Sequence, residues 1–205
     1  EDYKTEIKDS NFYHARGFSH RKKGNFRAAI RDYSKAIELN PRHFKAYFNR
    51  GFSYDKLGEY SKAIENYTLA LEIDPTNAYT YYNRGISYDR MGNFKQAIEN
   101  FSLAIQLDTR NADFYHNRGF SYRKMFSYDK AVKDYTTALS IDGNHYKAYY
   151  NRAFSYDKMH LYKNGFNTIA ITIHIYIYIY IYTFLKISFF YFSNSNCRLH
   201  RRHQN

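Results

Sequence analysis

The Gly-Phe-Ser-Tyr sequence from Gly51 to Tyr54 is the part of this chain that comes nearest to a catalytic motif. It resembles the turn that exposes a nucleophilic serine in many hydrolases, but it lacks the second glycine of that turn. The residues around Ser53 also have helical spacing, whereas such a serine requires a sharp turn between a strand and a helix. The sequence therefore predicts no acyl-transfer site here.

Histidine and cysteine are the other residue types that could provide acid–base or metal chemistry. The nine histidines are scattered, and they include no pair four residues apart that would hold a metal on one helix face. Cys197, His200 and His203 have suggestive spacing, but they lack a fourth ligand, so we expect no zinc site. We expect no enzymatic activity and no cofactor. The single cysteine favours a reducing compartment.

One arginine recurs every 34 residues, giving a ladder of Arg16, Arg50, Arg84, Arg118 and Arg152. This arginine ladder could capture phosphates or a run of acidic side chains, which would favour a nucleic acid as partner. Alternatively, each aliphatic stem packs while its guanidinium group meets a nearby carboxylate or helix carbonyl group. We favour this structural alternative, under which Arg84→Leu leaves stability unchanged or raises it.

The same interval of 34 residues relates whole segments of the chain without gaps. After a leader at 1–9, it defines units at 10–43, 44–77, 78–111 and 112–145, a partial fifth unit at 146–164 and a remainder at 165–205. Repetition at this interval is typical of a solenoid, in which each unit buries its apolar face against its neighbours.

Each unit has the pattern of two helices joined by a turn. In the second unit, residues at three- and four-residue spacing predict a first helix over about 45–57, ended by Gly58. An apolar face predicts a second helix over about 61–74, ended by Pro75. We expect the small residue Gly51 to let the two helices approach closely.

The residues that characterise the second unit are, in order, Tyr47, Arg50, Gly51, Tyr54, Gly58, Tyr60, Ala63, Tyr67, Ala70 and Pro75. This order resembles the tetratricopeptide repeat. The chain departs from that family's pattern at the arginine ladder, where leucine is usual, at Thr109 and Gly143 in place of proline, and at Phe126 in place of the turn glycine. The resemblance implies an all-α, right-handed superhelical solenoid of 34-residue helix-turn-helix repeats, followed by an irregular C-terminal tail.

The resemblance also implies that the first helix of each unit lines a concave groove that binds a segment of another protein. The groove candidates are Lys45, Phe48, Phe52, Asp55, Tyr79, Tyr82, Ile86, Asp89, Asp113, His116, Phe120, Arg123 and Lys147. Alternatively, the rings among them pack against adjacent first helices and offer a partner little. Some family members grip a terminal carboxylate at five positions, of which only Asn117 and Lys147 match here. We therefore predict against that mode.

The C-terminal remainder has a different composition from the repeats. Residues 169–192 are nearly all Ile, Tyr, Phe and Thr, with strict Ile-Tyr alternation from Ile175 to Tyr182. This low-complexity segment is explained by translated noncoding sequence or by an alternative terminal exon. The competing hypothesis is a membrane anchor, although His174 and Lys186 interrupt the run. In either case we expect partial exposure or self-association of the fifth unit, which lacks a polar capping helix.

Charge alone does not select a partner. The chain has 31 basic and 19 acidic side chains, which permits acidic proteins, nucleic acid or an anionic membrane surface. We expect a non-enzymatic scaffold or adaptor that binds a protein or peptide segment, within a ciliary, cytoskeletal or chaperone-linked assembly. The alternatives are an RNA-binding helical repeat, which groove acids such as Asp55 and Asp89 disfavour, and an adaptor tethered by the tail. The chain opens on Glu1 and Asp2, unlike a secretory signal, and we expect a cytoplasmic location.

Overall fold

The computed structural model describes residues 8–159. In this part of the chain, nine α-helices follow one another, joined by short turns. They are α1 Ser10–Lys22, α2 Phe26–Leu39, α3 Phe44–Lys56, α4 Tyr60–Ile73, α5 Ala78–Arg90, α6 Phe94–Leu107, α7 Ala112–Lys124, α8 Tyr128–Ile141 and α9 Tyr146–Lys158. The all-α fold of paired helices is confirmed. Both helices of the second unit begin and end one residue earlier than predicted.

Several predictions fall outside residues 8–159. The tail at 165–205, its membrane-anchor alternative at 169–192 and the Cys197, His200 and His203 group all lie outside the described residues. The self-association expected of the fifth unit also depends on residues after 159.

Capping side chains and turn residues set where the helices begin and end. Each odd-numbered helix is preceded by a side chain that accepts a hydrogen bond from a backbone N–H in the first turn. These side chains are Asp9, His43, Asn77, Asn111 and His145. In the first three units the turn after the odd helix contains a glycine with positive φ, at Gly24, Gly58 and Gly92. In the fourth unit Phe126 adopts this conformation, with φ of 61°.

Within each unit, a glycine on the first helix lies against an aromatic ring on the second. A Cβ atom added at Gly85 would lie 2.7 Å from Cε1 of Phe101, and one at Gly51 would lie 3.0 Å from Cε1 of Tyr67. Both rings are buried. The aromatic ring of the second helix therefore packs directly against the backbone of the first helix, in the space that a side chain at the glycine position would occupy.

The solenoid curves with its odd-numbered helices on the inner side. Among the described residues, each odd helix contacts the next odd helix, as α1 does α3 and α7 does α9, whereas successive even helices make no comparable contact. Each even helix instead packs between two odd helices. The odd helices therefore line the concave face, and the even helices form the convex face.

The arginine ladder connects successive even helices. Arg118 donates to both carboxylate oxygens of Asp134 in its own unit, at 2.7 and 2.8 Å, and to Oγ of Ser102 in the preceding unit, at 3.1 Å. Arg84 has the same position but donates to Oδ1 of Asn100 at 2.7 Å and to Oγ1 of Thr68 at 3.0 Å. The structural alternative is confirmed for Arg118, whereas the partners of Arg84 are an amide and a hydroxyl group instead of a carboxylate or a helix carbonyl group.

The contacts of Arg84 reverse the direction of the stability change that we expect for Arg84→Leu. Asn100 is buried, and leucine at position 84 would leave its side-chain oxygen without a donor. An unsatisfied buried polar group destabilises a protein by about 1–3 kcal/mol. Sequence periodicity could not reveal this, because Asn100 lies on another helix.

We predict that Arg118→Leu lowers the free energy of unfolding more than Arg84→Leu does. The first leaves a buried carboxylate unpaired, which destabilises by about 3 kcal/mol, whereas the second leaves only an amide oxygen, at about 1–2 kcal/mol. Urea unfolding at pH 7 measures both. Asp134→Asn copies the residue found at position 100 and should recover part of the loss in Arg118→Leu. Equal losses in the two single variants would contradict this account.

We further predict that Phe126→Gly stabilises the protein. Left-handed backbone strains a residue with a Cβ atom by about 1–2 kcal/mol, and the greater freedom of glycine in the unfolded chain offsets part of the gain. The net increase should be about 0.5–1 kcal/mol in urea unfolding, because the Phe126 side chain is 78% exposed and packs little. Gly58→Phe is the reciprocal control and should destabilise. A loss of stability in Phe126→Gly would show that the ring contributes more than its strain.

Candidate interaction groove

The rings of Phe48 and Tyr82 occupy the same position on successive concave helices, and both are half-buried. Phe48 packs on Tyr67, with ring centroids 5.7 Å apart. Tyr82 packs on Phe101 at 5.8 Å and on Phe114 at 4.9 Å. Each ring therefore contributes one part to the core and leaves the other accessible.

Side chains at this position also join one concave helix to the next. In three pairs the Nδ2 group of an asparagine donates a hydrogen bond to a side chain of the preceding unit. Asn49 donates to Nε2 of His14 at 3.1 Å, Asn117 donates to Oη of Tyr82 at 3.0 Å, and Asn151 donates to Nε2 of His116 at 3.1 Å. His116 is only 8% exposed. Its expected place on the groove surface is therefore wrong, since it is enclosed between two units.

The aspartates expected at the groove edge likewise face a neighbouring unit. Asp55 is buried, accepts from Oγ of Ser87 at 2.9 Å and forms an ion pair with Arg90. Asp89 accepts from Oγ of Ser121 at 2.6 Å, and its burial raises the pKa of its carboxyl group. The expectation that Asp55 is offered to a partner is wrong, because its charge is used within the solenoid.

The candidates in the first turn of the concave helices are exposed. Lys45, Asp113 and Lys147 lie in contact with solvent, and Tyr79 is 56% exposed. Asp113 Oδ1 is 3.3 Å from Nε2 of His145, whose side chain is nearly buried while that of Asp113 is exposed. These residues form one margin of the concave face.

The remaining candidates, Phe52, Ile86 and Phe120, belong to a longer row on the concave face. The central row consists of one half-buried residue from each concave helix, namely Phe18, Phe52, Ile86, Phe120 and Phe154. Phe18 and Phe154 had not been recognised. A basic residue follows each of them four positions later, at Lys22, Lys56, Arg90, Lys124 and Lys158, and all five are exposed. This 34-residue spacing of basic residues is visible in the sequence and was missed.

The first cation–aromatic cluster lies where the first two units meet. The guanidinium group of Arg21 lies between the rings of Phe18 and Phe52, 4.7 and 4.9 Å from their centroids. Lys22 lies over Phe18 at 5.2 Å, and Lys56 lies over Phe52 at 5.1 Å. Three cations thus surround two rings.

The second cation–aromatic cluster repeats this arrangement three units later. Arg123 lies between Phe120 and Phe154, at 4.7 and 4.9 Å. Lys124 lies over Phe120 at 5.3 Å, and Lys158 lies over Phe154 at 5.5 Å. The structure thus brings the candidates Phe120 and Arg123 together with two lysines that had not been singled out.

Residues 8–159 contain no group of three or more metal-ligating side chains placed to hold an ion. None of the helices described here has the length and apolar character that crossing a bilayer requires.

The family of the chain follows from models of known repeats. Residues 44–77, 78–111 and 112–145 each match the model described as tetratricopeptide repeat, and residues 17–58 match a second model described as TPR repeat. The chain belongs to the tetratricopeptide-repeat family. The resemblance seen in the sequence is confirmed, and neither model is that of an enzyme family. A comparison with curated proteins gives no match.

Solved structures of this family have similar folds. A MamA protein is 27% identical, with 82% of this chain and 92% of that chain covered and a TM-score of 0.76. YrrB, described as a TPR protein with an unusual peptide-binding site, is 20% identical, with 83% and 88% covered and a TM-score of 0.71. MamA from Desulfovibrio magneticus RS-1 is 15% identical, with 82% and 94% covered and a TM-score of 0.76. The last two similarities concern the fold alone.

We predict that His116 makes the repeat array sensitive to acid. Removal from water, together with the neighbouring His145, lowers the pKa of His116 to about 4. In the unfolded chain the value returns to about 6.5, so the unfolded state binds the proton more readily. The stability that neutral His116 provides is complete above pH 6.5 and is lost as the pH falls towards 4. The loss should be about 3 kcal/mol.

Urea unfolding at pH 7 and at pH 4 measures this loss in the wild type and in His116→Tyr. Tyrosine should keep the hydrogen bond from Asn151, as Tyr82 does with Asn117, and it does not titrate in this range. The wild type should therefore lose about 3 kcal/mol more than the variant between the two pH values. His20→Tyr is the matched control, since tyrosine occupies the equivalent position in the next units. Equal losses in the wild type and His116→Tyr would refute the assignment.

Proposed function

We propose that the chain is a non-enzymatic scaffold that binds a peptide segment of another protein along its concave groove. The observation that carries this proposal is the central row, in which half-buried rings and Ile86 continue from unit to unit across one face. Exposed Tyr79 adds apolar surface in the third unit, at the margin of the groove. Tetratricopeptide repeats generally bind protein or peptide partners, which supports the proposal.

The packing of the groove residues suits such a role. Tyr82 is fixed between two buried rings and by Asn117, so little side-chain entropy is lost when a partner covers it. Rigid aromatic anchors of this kind contribute much of the affinity in protein interfaces. An extended segment lying across successive helices would contact Phe48 in the second unit and Tyr82 in the third. We place this scaffold in the cytoplasm, consistent with a single cysteine in the sequence.

A displayed library of random peptides, selected on the full chain, tests the proposal. Selected peptides should bind in fluorescence anisotropy, and Tyr79→Ser together with Ile86→Ser should weaken them at least tenfold, a change of about 1.4 kcal/mol. Leu103→Ser is the matched control, because Leu103 is similarly apolar and partly exposed but lies on the convex helix α6.

Circular dichroism and urea unfolding establish that each variant remains folded. Selection of no peptide, or peptides whose affinity falls with Leu103→Ser but not with the groove variants, would refute the concave site.

A further inference from the structure

We propose that the two cation–aromatic clusters bind two acidic segments of one extended peptide, separated by an apolar segment. This inference rests on the proposed function and names the chemistry of the partner. The partner is an extended protein segment that has Asp or Glu side chains at two places and apolar side chains between them.

The two clusters have the same geometry although they lie three units apart. Each places an arginine between two phenylalanines of successive units, at 4.7 and 4.9 Å, and adds one lysine over each ring. The junctions between them are built differently. There, Asp55 and Asp89 occupy the position of the arginine and bind Ser87, Arg90 and Ser121. Positive charge is therefore concentrated at the two ends of the concave face.

The lysines of the clusters have unused capacity for an anion. The two arginines contribute charge rather than free donors, because Nε of each is buried and each guanidinium group neighbours a buried tyrosine hydroxyl, that of Tyr33 or Tyr135. Within the described residues, no ion pair involves Lys22, Lys56 or Lys124, although the charge of Lys124 interacts with the Asp89 carboxyl group. Lys158 is 3.8 Å from Asp157, a loose contact.

Carboxylates fit this arrangement for a physical reason. The rings hold the cationic groups in place through cation–π contacts, so a partner would meet charges that are already positioned. Hydrogen bonds between a carboxylate and a guanidinium or ammonium group are stronger than neutral ones. Two clusters acting on one chain add affinity, because binding at the first raises the local concentration of the second segment.

The spacing of the clusters sets the spacing of the acids. Packed helices lie about 8–10 Å apart, so three steps along the concave face cover roughly 24–30 Å. An extended peptide advances about 3.3 Å per residue and covers this distance in about eight residues. Between the clusters the groove presents Ile86 and Tyr79, which favour apolar side chains in the middle of the peptide.

RNA fits the same surface less well. Its backbone has a phosphate at every nucleotide, whereas this concave face also includes Asp89 and exposed Asp113. Stacking of bases also needs free ring faces, and the faces of Phe52 and Phe120 each contact two cations. Positive charge in two separated clusters matches a peptide with acids at two places.

Synthetic peptides with two Glu-Glu pairs test the proposal by fluorescence anisotropy against the full chain. The first peptide separates the pairs by eight residues rich in Leu, Val and Tyr, and the second separates them by three. A third replaces all four Glu residues of the first with Gln. We expect the first peptide to bind at least tenfold more tightly than the other two and to weaken as salt rises.

Charge-removing variants locate the binding. Lys22→Gln with Lys56→Gln, and separately Lys124→Gln with Lys158→Gln, should each weaken the first peptide at least fivefold. Lys95→Gln with Lys133→Gln is the matched control, because it removes the same charge from exposed residues of the convex helices α6 and α8 and should change nothing.

Three results would overturn the proposal. They are equal affinity for the two spacings, an unchanged affinity in both cluster variants, and displacement of the peptide by single-stranded oligouridine at lower concentrations than by unlabelled peptide. Equally tight binding of the Gln peptide that Tyr79→Ser and Ile86→Ser abolish would also refute the acidic segments, while supporting the peptide-binding function. Failure of every peptide in this series and in the displayed library would instead count against the proposed function itself.

Discussion

The contact between a glycine of one helix and an aromatic ring of the next is the constraint on which the rest of the solenoid depends. At Gly85 an added Cβ atom would lie 2.7 Å from the ring of Phe101, closer than two non-bonded carbon atoms can approach. This contact fixes the distance and orientation of the two helices in a unit. The orientation of the two helices in turn determines which of their residues face the concave side.

Polar side chains determine how one unit is joined to the next. The arginine ladder holds the even helices together through Asp134 or Asn100, and asparagine side chains such as Asn117 join the odd helices. These groups are partly or wholly buried, so each needs its partner to avoid an unsatisfied polar atom. The junctions are therefore specific in geometry.

Variation at a single position of the repeat changes the electrostatic character of the groove. Where that position is aspartate, as at Asp55, the carboxylate is used to bind the next unit. Where it is arginine, as at Arg21 and Arg123, the guanidinium group lies between two rings and adds positive charge to the surface. The residue at this one position of the repeat thus distinguishes the charge at the ends of the groove from the charge in its middle.

The sequence by itself determined the 34-residue period, the pairing of helices and their limits to within one residue in the second unit. These follow from local properties, namely helical periodicity and turn residues such as Gly58. Only the tertiary structure decided that Asp55 and His116 are enclosed, that Arg84 needs Asn100, and that Arg21 lies between two phenylalanines. The physical reason is that helical periodicity gives the direction of a side chain relative to its own helix. Whether a neighbouring unit covers that side chain depends on the rotation between units. Contacts between residues 16 to 35 positions apart in the sequence determine that rotation.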